Sequence, residues 1–234
     1  MKAPISECFL SIQGEGKNIG TPSIFIRFWG CNLRCRFKGE ACDTPYAVVT
    51  DKDKAKMMTP AELVEEIKKF NCTHIVFTGG EPMLYQDFIM TTMKSIFSLQ
   101  KLHFFYTAEI ETNGAIVLNQ ELVEYIDLFT LSVKLKGSNQ EKGYDDKRIN
   151  NDAIYSYSHE KSVFKFVITN KEDLEEALEI WKTHMIDDVY LMPEGMTRDE
   201  VIKNSQEVVD LCIEYGFKFS PREHIIIWDN KRGV

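Results

Sequence analysis

Strand-like and helix-like segments alternate about six times along this chain, and that alternation is the strongest limit on what it can fold into. Residues 23–29 set Ile24, Ile26 and Phe28 against Phe25, Arg27 and Trp29, the two-residue period of a strand. Thr59-Pro60-Ala61-Glu62 is a capping box with proline at the first helical position, opening a helix that carries Leu63, Ile67 and Phe70. Further strands are expected over 74–78, 102–111, 128–134, 163–168 and 189–192, with helices over 86–99, 120–126, 152–158 and 171–184. A second capping box, Thr197-Arg198-Asp199-Glu200, begins a helix with Val201, Val208, Leu211, Cys212 and Tyr215 inward, stopped by Gly216. Residues 136–151 read as a polar loop, and 217–228 as strand.

Such alternation implies an α/β fold with parallel strands joined by right-handed crossovers. Six units suit a partial (incomplete) TIM-like barrel better than the eight-unit one, with ligands at the C-terminal strand ends. At 234 residues and 44% hydrophobic content, residues 1–234 are expected to fill one domain. No segment has the roughly 18 apolar residues of a membrane span, and the Met1-Lys2-Ala3-Pro4 start lacks a signal peptide's apolar stretch. A soluble, cytoplasmic protein with no membrane partner is expected. The net charge of −8, without a Lys/Arg block, argues against a nucleic-acid partner.

Directly after the first predicted strand come Cys31, Cys35 and Cys42, half of the six cysteines in the chain. Three thiols that close, without a secretory signature, favour metal ligation over disulfides. Three thiolates leave one coordination position open, where a substrate or cofactor can bind. The Cys-x3-Cys spacing and the lack of a nearby fourth ligand favour an iron-sulfur cluster; a zinc-stapled binding module stays open. Cys8, Cys72 and Cys212 lie apart and read as buried thiols. Thr78-Gly79-Gly80-Glu81-Pro82 ends the second strand, where paired glycines admit a close backbone approach. Arg27 shares a face with aromatics, a setting for stacking as well as for a substrate carboxylate.

The cysteines and Gly79-Gly80-Glu81-Pro82 resemble the radical S-adenosylmethionine superfamily. Ser11-Ile12-Gln13-Gly14-Glu15-Gly16, Phe25-Ile26-Arg27, Cys42-Asp43-Thr44-Pro45-Tyr46, Glu111-Thr112-Asn113-Gly114, Pro221-Arg222-Glu223-His224 and Trp228-Asp229-Asn230-Lys231-Arg232-Gly233-Val234 narrow the resemblance to the 7-carboxy-7-deazaguanine synthase family. One departure lies in the cysteine loop. In the family two residues separate the second cysteine from the third, which puts the third where this chain has Lys38, whereas here six residues separate Cys35 from Cys42. Lysine cannot replace a thiolate. Cys42 keeps the Asp-Thr-Pro-Tyr continuation, so 37–41 read as a local insertion.

The resemblance implies a shortened radical S-adenosylmethionine barrel with a cluster-binding loop at 30–46 and a substrate-binding tail at 221–234. It implies a lyase converting 6-carboxy-5,6,7,8-tetrahydropterin to 7-carboxy-7-deazaguanine with loss of ammonia. Its cofactors are a 4Fe-4S cluster on Cys31, Cys35 and Cys42, S-adenosylmethionine, and Mg2+ on Thr44. Ala41, Asp43, Gly79, Gly80, Glu81, Asn113, Ser132, Val133 and Lys134 fall to S-adenosylmethionine, although Val133 stands where the family has proline. Ile12, Gln13, Gly14, Glu15, Arg27, Thr78, His224 and Val234 fall to the pterin; without the family, His224 would read as a strand histidine. His74, His103, His159 and His184 receive no role. A flavodoxin- or ferredoxin-type electron donor and a homodimer are implied as partners. A glycyl-radical activase would share the cysteines and the Gly-Gly-Glu-Pro run, but not Gln13, Glu15 and His224.

Overall fold

In the computed structural model the alternating run forms β2 (Pro22–Phe28), and β1 (Ala3–Ile12) lies antiparallel beside it. The described residues are 1–37, 40–99, 105–139, 144–157 and 160–234. Lys38, Gly39, His103 and His159, and the start of the strand expected over 102–111, lie outside them. After β2 come a small hairpin of β3 (Arg36–Phe37) and β4 (Glu40–Ala41), the short α1 (Pro45–Val48), and β5 (Lys56–Met58), which pairs with β1. The alternating region runs α2 (Pro60–Ile67), β6 (His74–Gly79), α3 (Gln86–Leu99), β7 (Thr107–Thr112) and β8 (Leu128–Leu131). It continues through α4 (Asp145–Arg148), α5 (Asn151–Ser156), β9 (Ser162–Ile168), α6 (Lys171–His184), β10 (Val189–Pro193), α7 (Arg198–Tyr215), β11 (Lys218–Phe219) and α8 (Glu223–Trp228).

The main sheet has nine strands in the order β11-β10-β9-β8-β7-β6-β2-β1-β5, parallel from β2 to β11 and antiparallel beyond. It does not close, so the fold is a partial barrel. Because side chains alternate along each strand, the parallel strands present unlike faces on the two sides of the sheet. Ile24, Ile26, Phe28, Ile75, Phe77, Ile110, Phe129, Phe164, Phe166 and Leu191 form the main core with Leu63, Ile67, Phe88, Met93 and Leu174 of the helices. The opposite face carries Arg27, Thr78, Glu111 and Lys165, which line a cavity. Leu128, Val163 and Tyr190 form a separate apolar cluster at the strand starts.

Both capping boxes form, at Thr59 and Thr197, and Gly216 ends α7 in the left-handed conformation. Several expectations need correction. The 120–126 segment is a 3-10 turn, Gln120–Tyr125, and the strand after it stops at Leu131. The 136–151 stretch holds a 3-10 turn, Lys136–Ser138, and α4. Residues 217–228 give only two strand residues before α8. The Ile225-Ile226-Ile227 run favours strand by propensity. Here the Ile225 and Ile226 amides bond back to the Arg222 carbonyl and among the described residues no strand pairs with them, so tertiary position overrides propensity. Cys212 is buried as expected, but Cys8 and Cys72 are only half-buried.

The ends of β2 and β6 meet main chain to main chain. Gly80 N donates to Phe28 O (3.1 Å), Glu81 N to Gly30 O (2.8 Å), and Gly30 N to Ala47 O (2.7 Å). A Cβ on Gly80 would lie 2.0 Å from the Gly30 carbonyl oxygen and 2.8 Å from that of Ala47. Gly80→Ala should therefore cost more than about 2 kcal/mol by overpacking. Gly20→Ala, with nothing within 4 Å but a φ of +85°, should cost about 1 kcal/mol of backbone strain. Urea unfolding of the two variants checks the contrast.

Candidate active site

The cysteine loop leaves β2 through Gly30, and the hairpin β3–β4 folds it back. Arg36 pairs with Ala41 and Phe37 with Glu40, and the Cys42 amide donates to the Cys35 carbonyl (3.1 Å). Six intervening residues thus return Cys42 beside Cys35. All three thiols line one cavity of about 330 Å³, within the range of small-molecule sites. Leu33, Cys35 and Tyr144 form a buried cluster against which Cys31, Phe37 and Cys42 pack. Burial pushes the Cys31 thiol up to about 12 and the Cys42 thiol to about 11.

Beside the loop, Glu81 is fully buried and accepts from Thr112 Oγ1 (2.7 Å), Asn113 N (2.8 Å) and Met83 N (3.0 Å). Burial raises its carboxyl above the usual range, against those hydrogen bonds. The side chain therefore braces the end of β6 to the end of β7. Asn113, set by that brace, donates through Nδ2 to Asn32 Oδ1 (2.7 Å) and, more weakly, to Cys31 Sγ (3.8 Å). Ser132 and Lys134 reach the cavity after β8, with Lys134 Nζ on Ser132 Oγ (2.9 Å).

The far side of the cavity is ionic. Glu111 accepts from Thr78 Oγ1 (2.7 Å) and Gln13 Nε2 (3.2 Å), and burial raises its carboxyl while Lys165 opposes the rise. Glu15 bonds Lys165 through Oε2 and Arg222 Nε through Oε1 (2.9 Å). Burial would raise the Glu15 carboxyl, but Lys165, Arg222 and His224 outweigh it and hold it well below the usual range. Arg222 also donates to Asp43 Oδ2 (2.7 Å) and the Gly195 carbonyl (2.5 Å). Burial keeps His224 below the ordinary imidazole value. A Cβ on Gly14 would lie 2.3 Å from His224 Nδ1, so that glycine admits the histidine. Arg27 donates to Glu7 (2.9 Å) and lies over Phe9 and Tyr46. Arg232 of the tail also bonds Glu7 (2.6 Å) and stacks 3.6 Å from the Tyr46 ring centre.

The radical SAM superfamily pattern matches residues 26–220. The chain is 34% identical to the 7-carboxy-7-deazaguanine synthase of Halobacterium salinarum over 97% of this chain and 91% of that protein. The corresponding figures are 32%, 100% and 99% for the synthase of Leptospira interrogans. This chain belongs to the 7-carboxy-7-deazaguanine synthase family. The crystal structure of QueE from Escherichia coli agrees in fold, with a TM-score of 0.73 at 22% identity over 96% of this chain and 95% of that one.

Family membership brings a 4Fe-4S cluster and S-adenosylmethionine, and the donor set fits them. Three thiols share a partly apolar pocket, and the positive charge of bound iron would favour their thiolate forms. Of the residues expected from the synthase family resemblance, Ile12, Gln13, Gly14, Glu15, Arg27, Ala41, Asp43, Thr44, Thr78, Gly79, Gly80, Glu81, Asn113, Ser132, Lys134, His224 and Val234 all line the cavity. Val133 does not: its side chain is buried in the main core, because its position in the chain turns it away from the site. His224 lies on a helix.

Glu7, Glu111, Lys165 and Arg222 received no role from sequence. Lys165 carried a usable signal, a lone cation inside the apolar run Ser162–Ile168, since a charge at mid-strand needs a buried partner. Linkage gives a prediction for its partner. The Glu15 carboxylate bonds contribute stability above the unfolded pKa near 4.5 and lose it as pH falls toward the lower folded value. Glu15→Gln should cost about 3 kcal/mol at pH 7. Its deficit relative to wild type should shrink below pH 4.5, as measured by urea midpoints across pH.

Proposed function

We propose that this chain is a lyase converting 6-carboxy-5,6,7,8-tetrahydropterin to 7-carboxy-7-deazaguanine with loss of ammonia, in 7-deazaguanine (queuosine/preQ0-type) biosynthesis. The observation that carries the reading is the meeting of Gln13, Glu15, Arg27, Thr78, His224 and Val234 in one cavity with three cysteines. Cys31, Cys35 and Cys42 hold the 4Fe-4S cluster. Gly79, Gly80, Asn113, Ser132 and Lys134 receive S-adenosylmethionine, with Glu81 fixing the strand ends that carry them. Thr44 offers a hydroxyl to Mg2+, an oxygen-seeking ion that takes its remaining ligands from water and substrate. When bound, the cluster and S-adenosylmethionine supply the reducing electron and the 5'-deoxyadenosyl radical that opens the reaction.

The chain's own contribution is positioning and exclusion. Arg27, already paired to Glu7, keeps nitrogens to meet the pterin carboxylate. Glu15 spends one lone pair per oxygen on Lys165 and Arg222, and each oxygen retains another for the donor edge of the pterin. Gln13 and Thr78, both donating to Glu111, are fixed at the cavity wall. His224, held neutral, can accept a proton or a hydrogen bond. Arg232, bonded to Glu7, and Val234 add the tail to the cavity wall, where it limits access of water to a reactive carbon. A flavodoxin- or ferredoxin-type protein supplies the electron, and the enzyme works as a homodimer without nucleic-acid or membrane partners; among the described residues no helix is long and apolar enough to cross a membrane.

Anaerobically reconstituted protein given the carboxypterin, S-adenosylmethionine and dithionite should yield deazapurine absorbance and one ammonia per turnover. Cleavage of S-adenosylmethionine with no deazapurine would sink the assignment. Arg27→Met should raise KM for the pterin at least about tenfold, the loss expected for a charge-assisted bond. Its iron content should equal that of wild type, whereas Cys42→Ala should lose the cluster.

A further inference from the structure

Asn139 and Tyr144, both between β8 and α5, lie against the cysteine loop. Asn139 Nδ2 donates to the Arg34 carbonyl (2.8 Å), and the Tyr144 hydroxyl lies 3.1 Å from Cys35 Sγ. Behind it, Arg148 is buried and anchors the segment, with NH1 on the Lys134 carbonyl (2.8 Å) and NH2 on Glu176 (2.7 Å). Tyr144 is 6% exposed and sits in the apolar cluster with Leu33 and Cys35. The Ser138 hydroxyl donates to the Leu135 carbonyl (2.6 Å).

We propose that Tyr144 is a positioning residue for the electron-transfer step, donating its hydroxyl proton to the Cys35 sulfur and thereby raising the reduction potential of the cluster. This rests on the reading of Cys35 as a cluster ligand. A ligating sulfur carries no proton, so the tyrosine is the donor of this pair. Reduction adds one electron to the cluster, and some of that charge falls on its sulfurs. A donor aimed at one of those sulfurs stabilises the reduced form more than the oxidised one. The surrounding Leu33 and Phe37 exclude water, which strengthens the bond and removes competing donors. No proton is transferred and no bond is made or broken. The external electron donor fills the same role with or without the tyrosine; what changes is how readily its electron is accepted.

The test is an EPR-monitored redox titration of the reconstituted holoenzyme in two variants. Tyr144→Phe removes the donor at nearly constant shape and should lower the midpoint potential. Replacing Tyr144 by a difluorotyrosine keeps the ring and makes the hydroxyl a stronger donor, so the midpoint should rise. Opposite shifts support the proposal. Unchanged potentials, or shifts of the same sign, overturn it. If the Phe variant fails to hold four irons, the fluorinated protein alone decides, by a rise or by none. Iron and sulfide content of the wild type tests the ligand assignment separately: a wild type without a cluster defeats that reading, whereas an intact cluster insensitive to Tyr144 defeats only this one.

Discussion

The active site depends on two strand ends that touch through bare main chain. Phe28 to Gly30 and Gly79 to Glu81 approach so closely that a side chain on Gly79 or Gly80 is excluded, two amide-to-carbonyl bonds lock the contact, and a third ties Gly30 to Ala47. From that contact the cysteine loop departs on one side, while on the other the Glu81 carboxylate reaches the end of β7 and sets Asn113 against Asn32. A shift of either strand would move the thiols and the cavity wall together. Rigid elements hold a constellation more accurately than loops do, and here the loop inherits its rigidity from the sheet.

The second constraint is the division of the sheet into an apolar outer face and a charged inner one. The outer face supplies the driving force for folding, since its residues and the helices remove each other from water. The inner face carries Glu111 and Lys165, with Glu15, Arg222 and Asp43 closing the top in a chain of alternating charges. Buried charges are tolerable when each is paired and hydrogen-bonded. That condition ties three distant stretches of the sequence to one another through Arg222, so the ionic network also decides how the C-terminal helix sits.

The local features legible in the sequence were those written in neighbouring residues. The alternation around Arg27, the two capping boxes and the stop at Gly216 need only a few adjacent positions, and all form. Pairings across the barrel were not legible, because Glu15 with Lys165 and Glu15 with Arg222 span the chain and are chosen by topology. The isoleucines of α8 show the same limit from the other side: a local preference for strand yields to the place the segment occupies. Most residues carried over by family resemblance line the cavity, and Val133 does not, since resemblance transfers a position without its orientation.

The miniature hairpin between Cys35 and Cys42 shows that the distance between two thiols is set through space and not by the number of residues between them. An antiparallel ribbon returns to its origin whatever its length, provided both arms grow together. Additions of even number would preserve the exit point of the third thiol, while odd ones would require a bulge. Searches for grouped thiols by fixed intervals along the chain will pass over sequences whose extra residues are folded into a ribbon of this kind.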